Sequence, residues 1–135
     1  MDQFHRAAQL WPLLITSARN QKLLSYDTVR HSTGLATPAI GPIGLGPIFY
    51  YCVEEDLPWL TSIVIQEGSG IPGNGFMDQA RETYGPDVNI HQLQSRVFVY
   101  DWFKRPAPTP DDFERAANKH RSTAVEAVEE LEPVS

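Results

Sequence analysis

The chain has 135 residues, 41% apolar and 21% charged, with a net charge of −6; that length and composition predict one soluble globular domain with a single modest core and exclude a disordered chain. A lone cysteine, Cys52, excludes an intrachain disulfide and a multi-cysteine zinc site, and makes the reducing cytoplasm the expected compartment. No stretch of about 18 uninterrupted apolar residues is present to span a membrane, and the amphipathic start "MDQFHRAAQLWPLLITSARN" lacks the order of a secretory signal.

Taken in chain order, Phe4, Ala7, Ala8, Trp11, Leu14, Ile15 and Ala18 recur at helical spacing and predict a first helix over 3–19, with Asp2 as its N-cap. Pro12 should kink that helix or mark its true start. Ser25 can cap a short second helix through Tyr26, Val29 and Arg30, ended by Gly34. Thr37 and Pro38 then have the form of an N-cap and first helical residue for a third helix over 38–54. Gly41, Gly44 and Gly46, at roughly 1 kcal/mol each against alanine, together with Pro42 and Pro47, thin that helix and predict a broken one, ordered from Pro47 to Glu54.

The β-branched "WLTSIVI" predicts a strand, "EGSGIPGNGF" a hairpin loop or wing, and "QARETYG" a short helix or turn. "SRVFVYDWF" alternates Val97, Val99 and Asp101 against Phe98, Tyr100 and Trp102, the pattern of a second strand. Thr109, Pro110, Asp111 and Asp112 start a final helix, whose stripe runs Phe113, Ala116, Ala117, His120, Ala124, Val128 and Leu131 into an acidic tail broken by Pro133. This order predicts an α+β, winged-helix-like fold: three N-terminal helices, a small antiparallel sheet with a glycine-rich wing, and a long C-terminal helix. Residues 1–108 would form the winged-helix-like domain, with 109–135 packed on it or on a second copy as a homodimer.

The helix-turn-helix would be joined by "GLAT", but its recognition positions are Ala39, Ile40, Gly41, Pro42 and Ile43, which cannot read bases by hydrogen bonds. No lysine or arginine lies between Arg30 and Arg81 to hold a phosphate backbone. Gly68, Gly70 and Gly73 satisfy GxGxxG, with Asp87 beyond, yet Pro72 and Gly75 argue against the loop opening a helix, and there is no room for a doubly wound sheet. Cys52 sits in an apolar segment and reads as an inert buried thiol. His5, His31, His91 and His120 have no ligand spacing, and a nuclease-like cluster of Asp56, Gln66 and Glu67 lacks its lysine. No catalytic residue, metal or cofactor is therefore expected. Aromatics remain in excess, and Tyr50, Trp59, Phe76, Trp102 and Phe103 are the expected partner-binding residues, since aromatic side chains anchor protein interfaces.

The run "LLSYDTVRHSTGL", "AIGPIGLGPI", "LPWLTSIVIQEGSGIPG" resembles the winged-helix DNA-binding domain of alkylguanine-DNA alkyltransferases and alkyltransferase-like proteins over about residues 24–76. In that family a Pro-Cys-His-Arg or Pro-Trp-His-Arg motif carries the chemistry or the lesion pocket; Pro58, Trp59, Leu60 and Thr61 stand in its place, without the reactive cysteine, histidine and arginine. "LGPIFYYCVEEDLPWLTSIVI" with "GSGIPGNGF" is similar to small uncharacterised bacterial proteins sharing a Leu-Gly-Pro-Ile, Cys, Leu-Pro, Gly-x-Pro-Gly-x-Gly-Phe pattern.

The function expected from all of this is a cytoplasmic, bacterial or phage-type module that binds another protein without catalysis. A DNA-associated module is the first alternative, with Arg6, Arg19, Lys22, Arg30, Lys104 and Arg105 on phosphates. The second is an acidic inhibitor of a basic partner: residues 1–48 carry +2, so the rest of the chain holds −8.

Overall fold

Asp2 opens helix α1 (Gln3–Arg19) by accepting hydrogen bonds from the amides of Phe4 and His5 at 3.0 and 2.9 Å. The computed structural model describes residues 2–33 and 45–131. α1 runs through Pro12 instead of starting there, with the proline ring on its exposed face. Its closure needs a left-handed residue, and Gln21 (φ 56°) takes the place glycine usually holds. The amide of Lys22 then donates to Ser17 O at 2.9 Å and that of Gln21 to Ala18 O at 3.0 Å.

Strand β1 (Leu24–Ser25) leads into α2 (Tyr26–Thr33), where Ser25 Oγ accepts from the amide of Thr28 at 3.1 Å. Gly34 as a helix stop, the Thr37–Pro38 cap, the helix over 38–44 and the "GLAT" turn lie outside the described residues. Helix α3 (Gly46–Glu54) has Pro47 in its first turn, where a missing N–H costs nothing. Asp56 (φ 54°) closes it as Gln21 closes α1, and the amide of Leu57 returns to Cys52 O at 2.8 Å, which sends Leu57 into the core.

The expected α+β winged-helix-like fold does not form. Most of "WLTSIVI" is a 3-10 turn (Leu60–Ile63), and only β2 (Val64–Ile65) is extended. β2 pairs in parallel with β1, Leu24 opposite Val64 and Ser25 opposite Ile65, so the sheet is two short parallel strands in place of an antiparallel one. The glycine-rich segment is no wing. It closes on itself, Gln66 N donating to Ile71 O at 2.9 Å, and passes directly into helix α4 (Asn74–Tyr84) without a returning strand. "SRVFVYDWF" is also helical, in α5 (Ile90–Val99) followed by a 3-10 turn (Trp102–Lys104). There Asn89 Oδ1 caps by accepting from the amide of Gln92, and Ile90, Leu93, Gln94 and Val97 are buried at i, i+3, i+4 and i+7. That helical stripe overrides the short alternation over 97–102, because it alone places one whole apolar face on the core.

Helix α6 (Pro110–Leu131) begins with a reciprocal cap: Thr109 Oγ1 accepts from the amide of Asp112 at 3.2 Å, and Asp112 Oδ2 accepts from the amide of Thr109 at 2.8 Å. The bond from the Thr109 amide, first, holds the Asp112 carboxyl below its ordinary range. A carboxyl depressed by folding is protonated earlier in the unfolded chain, so its stabilisation is complete above about pH 4–5 and is lost as pH falls through the lowered value. Asp112→Asn should therefore lower the urea midpoint near neutral pH, and the gap to the wild type should close in strong acid; an unchanged gap would exclude this linkage.

α6 packs most extensively on α3 and then on α1, within the same core. Trp11 lies at its centre, its ring edge-on to Tyr51 and Trp102, both at 5.6 Å, and tilted on Phe113 at 6.0 Å. Of the expected α6 stripe, Phe113, Ala116 and Ala117 are buried and His120 half-buried. The side chains of Ala124, Val128 and Leu131, and the tail with Pro133, lie outside the described residues. Among the described residues no helix is long and apolar enough to cross a membrane.

Candidate functional site

Between α2, α3 and α4 lies a cavity of about 410 Å³. α2 supplies Tyr26, and the first turns of α3 supply Phe49 and Tyr50. α4 contributes Gly75, Phe76 and Gln79, and the 3-10 turn supplies Thr61. Among the described residues no charged side chain lines it. The walls are set by an aromatic cluster behind them: Phe49 meets Trp59 at 4.9 Å and Phe76 at 6.0 Å, and Trp59 meets Phe76 at 5.7 Å and Tyr84 at 5.1 Å. Such edge and tilted contacts are the arrangements the ring quadrupoles favour. Tyr50 is fixed from outside by stacking on His120 at 4.6 Å, whose Nδ1 lies 3.3 Å from Glu54 Oε1.

Gly73 holds Tyr26 across the cavity. Its amide donates to the Tyr26 hydroxyl at 3.3 Å, and a Cβ at this position would sit 2.9 Å from the same oxygen. Thr61 is 6% exposed, and among the described residues its hydroxyl has no hydrogen-bond partner; the same holds for the Ser62 hydroxyl. Gln94 is satisfied, its side-chain amide donating to Ser62 O at 3.0 Å.

The expected partner-binding residues separate. Tyr50 and Phe76 stand on the cavity walls and Trp59 behind them. Trp102, 2% exposed, belongs to the core, its indole N–H donating to Val97 O at 2.8 Å. Phe103 is half-exposed on a separate corner, beneath Arg19. Tyr26, Thr61 and Gln79 were not among the expected partner-binding residues, because each reaches the cavity only through contacts between distant elements.

The six cations expected on phosphates do not form one surface. Arg30 pairs with Asp27 at 2.8 Å, and Arg105 donates to the Tyr51 hydroxyl at 3.3 Å. Arg6 and Arg19 stand near opposite ends of α1, about 20 Å apart at 1.5 Å per residue. Arg19 lies over the Phe103 ring and Lys104 over that of Tyr100, while Lys22 follows the end of α1.

The GxGxxG stretch does open a helix, contrary to expectation, since Gly73 is the N-cap of α4. Gly68 and Gly70 serve the preceding turn with φ of 87° and 72°, and among the described residues the sheet has two strands, too few for a nucleotide-binding parallel sheet. Asp27 faces Glu67 and, by its hydrogen bond first and its charge second, raises the Glu67 carboxyl. Among the described residues no three His, Cys, Asp or Glu side chains converge as metal ligands.

Cys52 is fully buried in α3, and burial pushes its thiol up to about 12. The thiolate is the reactive form. Ellman's reagent should find no thiol in the native protein at mildly alkaline pH and the single cysteine once guanidinium unfolds it; rapid native reaction would place Cys52 at the surface. No family model, curated protein or solved structure matches the chain.

Proposed function

We propose that the protein is a non-catalytic interaction module, and that the cavity between α2, α3 and α4 receives a large apolar side chain of a partner protein. The observation that supports this reading is the lining: four aromatic rings, Tyr26, Phe49, Tyr50 and Phe76, and, among the described residues, no charged group. General acid–base chemistry needs titratable groups aimed at the substrate, whereas capture of an apolar anchor needs a concave, largely apolar wall on a rigid scaffold. The cavity volume lies within the range of ordinary binding pockets, roughly 300–1,000 Å³. The free thiol of Cys52 fits a reducing compartment, and the proposal includes the cytoplasm as that compartment.

Gly75 supplies the test. It lies in the first turn of α4 on the cavity lining, with open space where a Cβ would stand. Gly75→Leu should fold, because leucine is the better helix former, and should obstruct the mouth. N-acetyl-phenylalaninamide titrated into the labelled wild-type protein should shift the amide resonances of Gly73, Gly75 and Gln79 in a saturable way. In Gly75→Leu the apparent affinity should fall about tenfold. Shifts absent from these amides, or equal in the variant, would reject the reading.

A further inference from the structure

Among the described residues helix α6 supplies none to the lining of the cavity between α2, α3 and α4, yet it touches one wall. The His120 ring stacks on Tyr50, ring centres 4.6 Å apart and planes 22° from parallel. Its Nδ1 lies 3.3 Å from Oε1 of Glu54, which stands one helical turn past Tyr50 on α3. A single side chain of α6 therefore bridges positions i and i+4 of the helix that carries the wall. The Glu54 side chain is 13% exposed and that of His120 32%. Lys119 Nζ lies 3.9 Å from the other oxygen of the same carboxylate.

We propose that His120 is a positioning residue for this cavity: acting through Tyr50, it sets how tightly an apolar anchor is held, and the hold is tighter when the imidazole is protonated. The inference rests on the cavity being the binding site. Histidine changes its charge between pH 5 and 8. Beside a carboxylate the neutral ring keeps its proton on Nδ1, so the added proton goes to Nε2 from the solvent that reaches the half-buried ring. Charging the ring strengthens two contacts together. The hydrogen bond to Glu54 becomes one between ions, and the stack on Tyr50 becomes a cation over a ring face. Both contacts favour the Tyr50 rotamer that forms the wall, and a wall side chain already fixed costs less to order when the anchor enters. Among the described residues the charged groups that meet His120 are Glu54 from α3 and, on its own helix, Lys119. Lys119 opposes the imidazolium, but its side chain is 71% exposed and its charge is screened by salt. α1, the other helix packed on α6, meets it through Trp11 on Phe113, an uncharged contact. Linkage makes the coupling reciprocal: an anchor in the cavity makes the imidazole hold its proton to higher pH.

The test uses N-acetyl-phenylalaninamide, which carries no titrating group, followed on the amides of Gly73, Gly75 and Gln79 at pH 5.5 and pH 7.5. The wild type should bind it about threefold more tightly at the lower pH. His120→Phe keeps a ring to stack on Tyr50 but takes no proton, so its ratio should be near one. His31→Gln removes an exposed histidine from the helix that carries Tyr26 and should leave the ratio as in the wild type. Circular dichroism checks that each variant folds. In the wild type without the probe, the Tyr50 ring resonances should shift with those of the His120 imidazole through one common midpoint. The proposal is overturned by Tyr50 resonances that ignore that titration, by a wild-type ratio near one, by an unchanged ratio in His120→Phe, or by its loss in His31→Gln. Binding without pH dependence would overturn this inference alone and leave the cavity as the binding site, whereas no binding at either pH would reject both.

Discussion

Trp11→Ala is expected to cost about 3–5 kcal/mol, the range found when a buried aromatic is truncated in a core that cannot collapse around the gap. Domains of this size are stable by only about 5–15 kcal/mol, so the variant should have a much lower urea midpoint or fail to accumulate as folded protein. The reason lies in what one side chain touches. Trp11 is 1% exposed and joins α1 to Tyr51 of α3, to Trp102 of the 3-10 turn after α5 and to Phe113 of α6. Removing the ring therefore takes a contact from three elements at once, and none of the three rings can move inward without leaving another neighbour. Trp11→Phe, which keeps part of the volume, should fall between the two. A loss below about 1 kcal/mol for Trp11→Ala would show that the rings repack freely, unlike a close-packed interior.

The second large effect belongs to Phe113→Ala, expected at about 3–4 kcal/mol and concentrated on one helix. Phe113 is fully buried, 5.3 Å from Tyr51 and 6.0 Å from Trp11, whereas its buried neighbours on α6 are the small Ala116 and Ala117. Beyond them α6 is tied to α3 by the half-buried His120 and by Lys119, Nζ 3.9 Å from Glu54 Oε2. An exposed ion pair contributes about 0–1 kcal/mol, too little to replace the aromatic anchor. Native-state hydrogen exchange should accelerate over residues 110–122 more than over α1; uniform acceleration would show that α6 does not open separately. Because Trp11 and Phe113 share one contact, the double variant should lose less than the two single losses added together.

Several elements were legible because their causes are local. Asp2, Ser25 and Thr109 cap helices through bonds to amides two or three residues away, and each helix begins where its cap predicts. The burial of Cys52 followed from its apolar neighbours. The α5 region misled because two periodicities overlap there. The strand-like alternation over 97–102 is conspicuous, while the decisive signal is Asn89 followed by Ile90, Leu93 and Val97, a stripe that starts seven residues before the alternation does. The closing residues of α1 and α3 were missed for another reason, since Gln21 and Asp56 adopt positive φ where glycine is the usual marker.

Of the candidate site, Tyr50 and Phe76 could be named as partner-binding aromatics, but not that they face one cavity. Trp102, chosen on the same grounds, went to the core, because residue type cannot tell an anchor from a core ring when both bury the same apolar area. Composition, caps and helical stripes thus determined from the sequence alone where several of the helices start and that an aromatic surplus existed. Only the tertiary structure decided that the strands pair in parallel, that the glycine-rich loop opens a helix, and that Tyr26 crosses to Gly73, 47 residues away. Caps and periodicity act within a few residues of backbone, whereas pairing and cavities are settled by which distant faces bury each other.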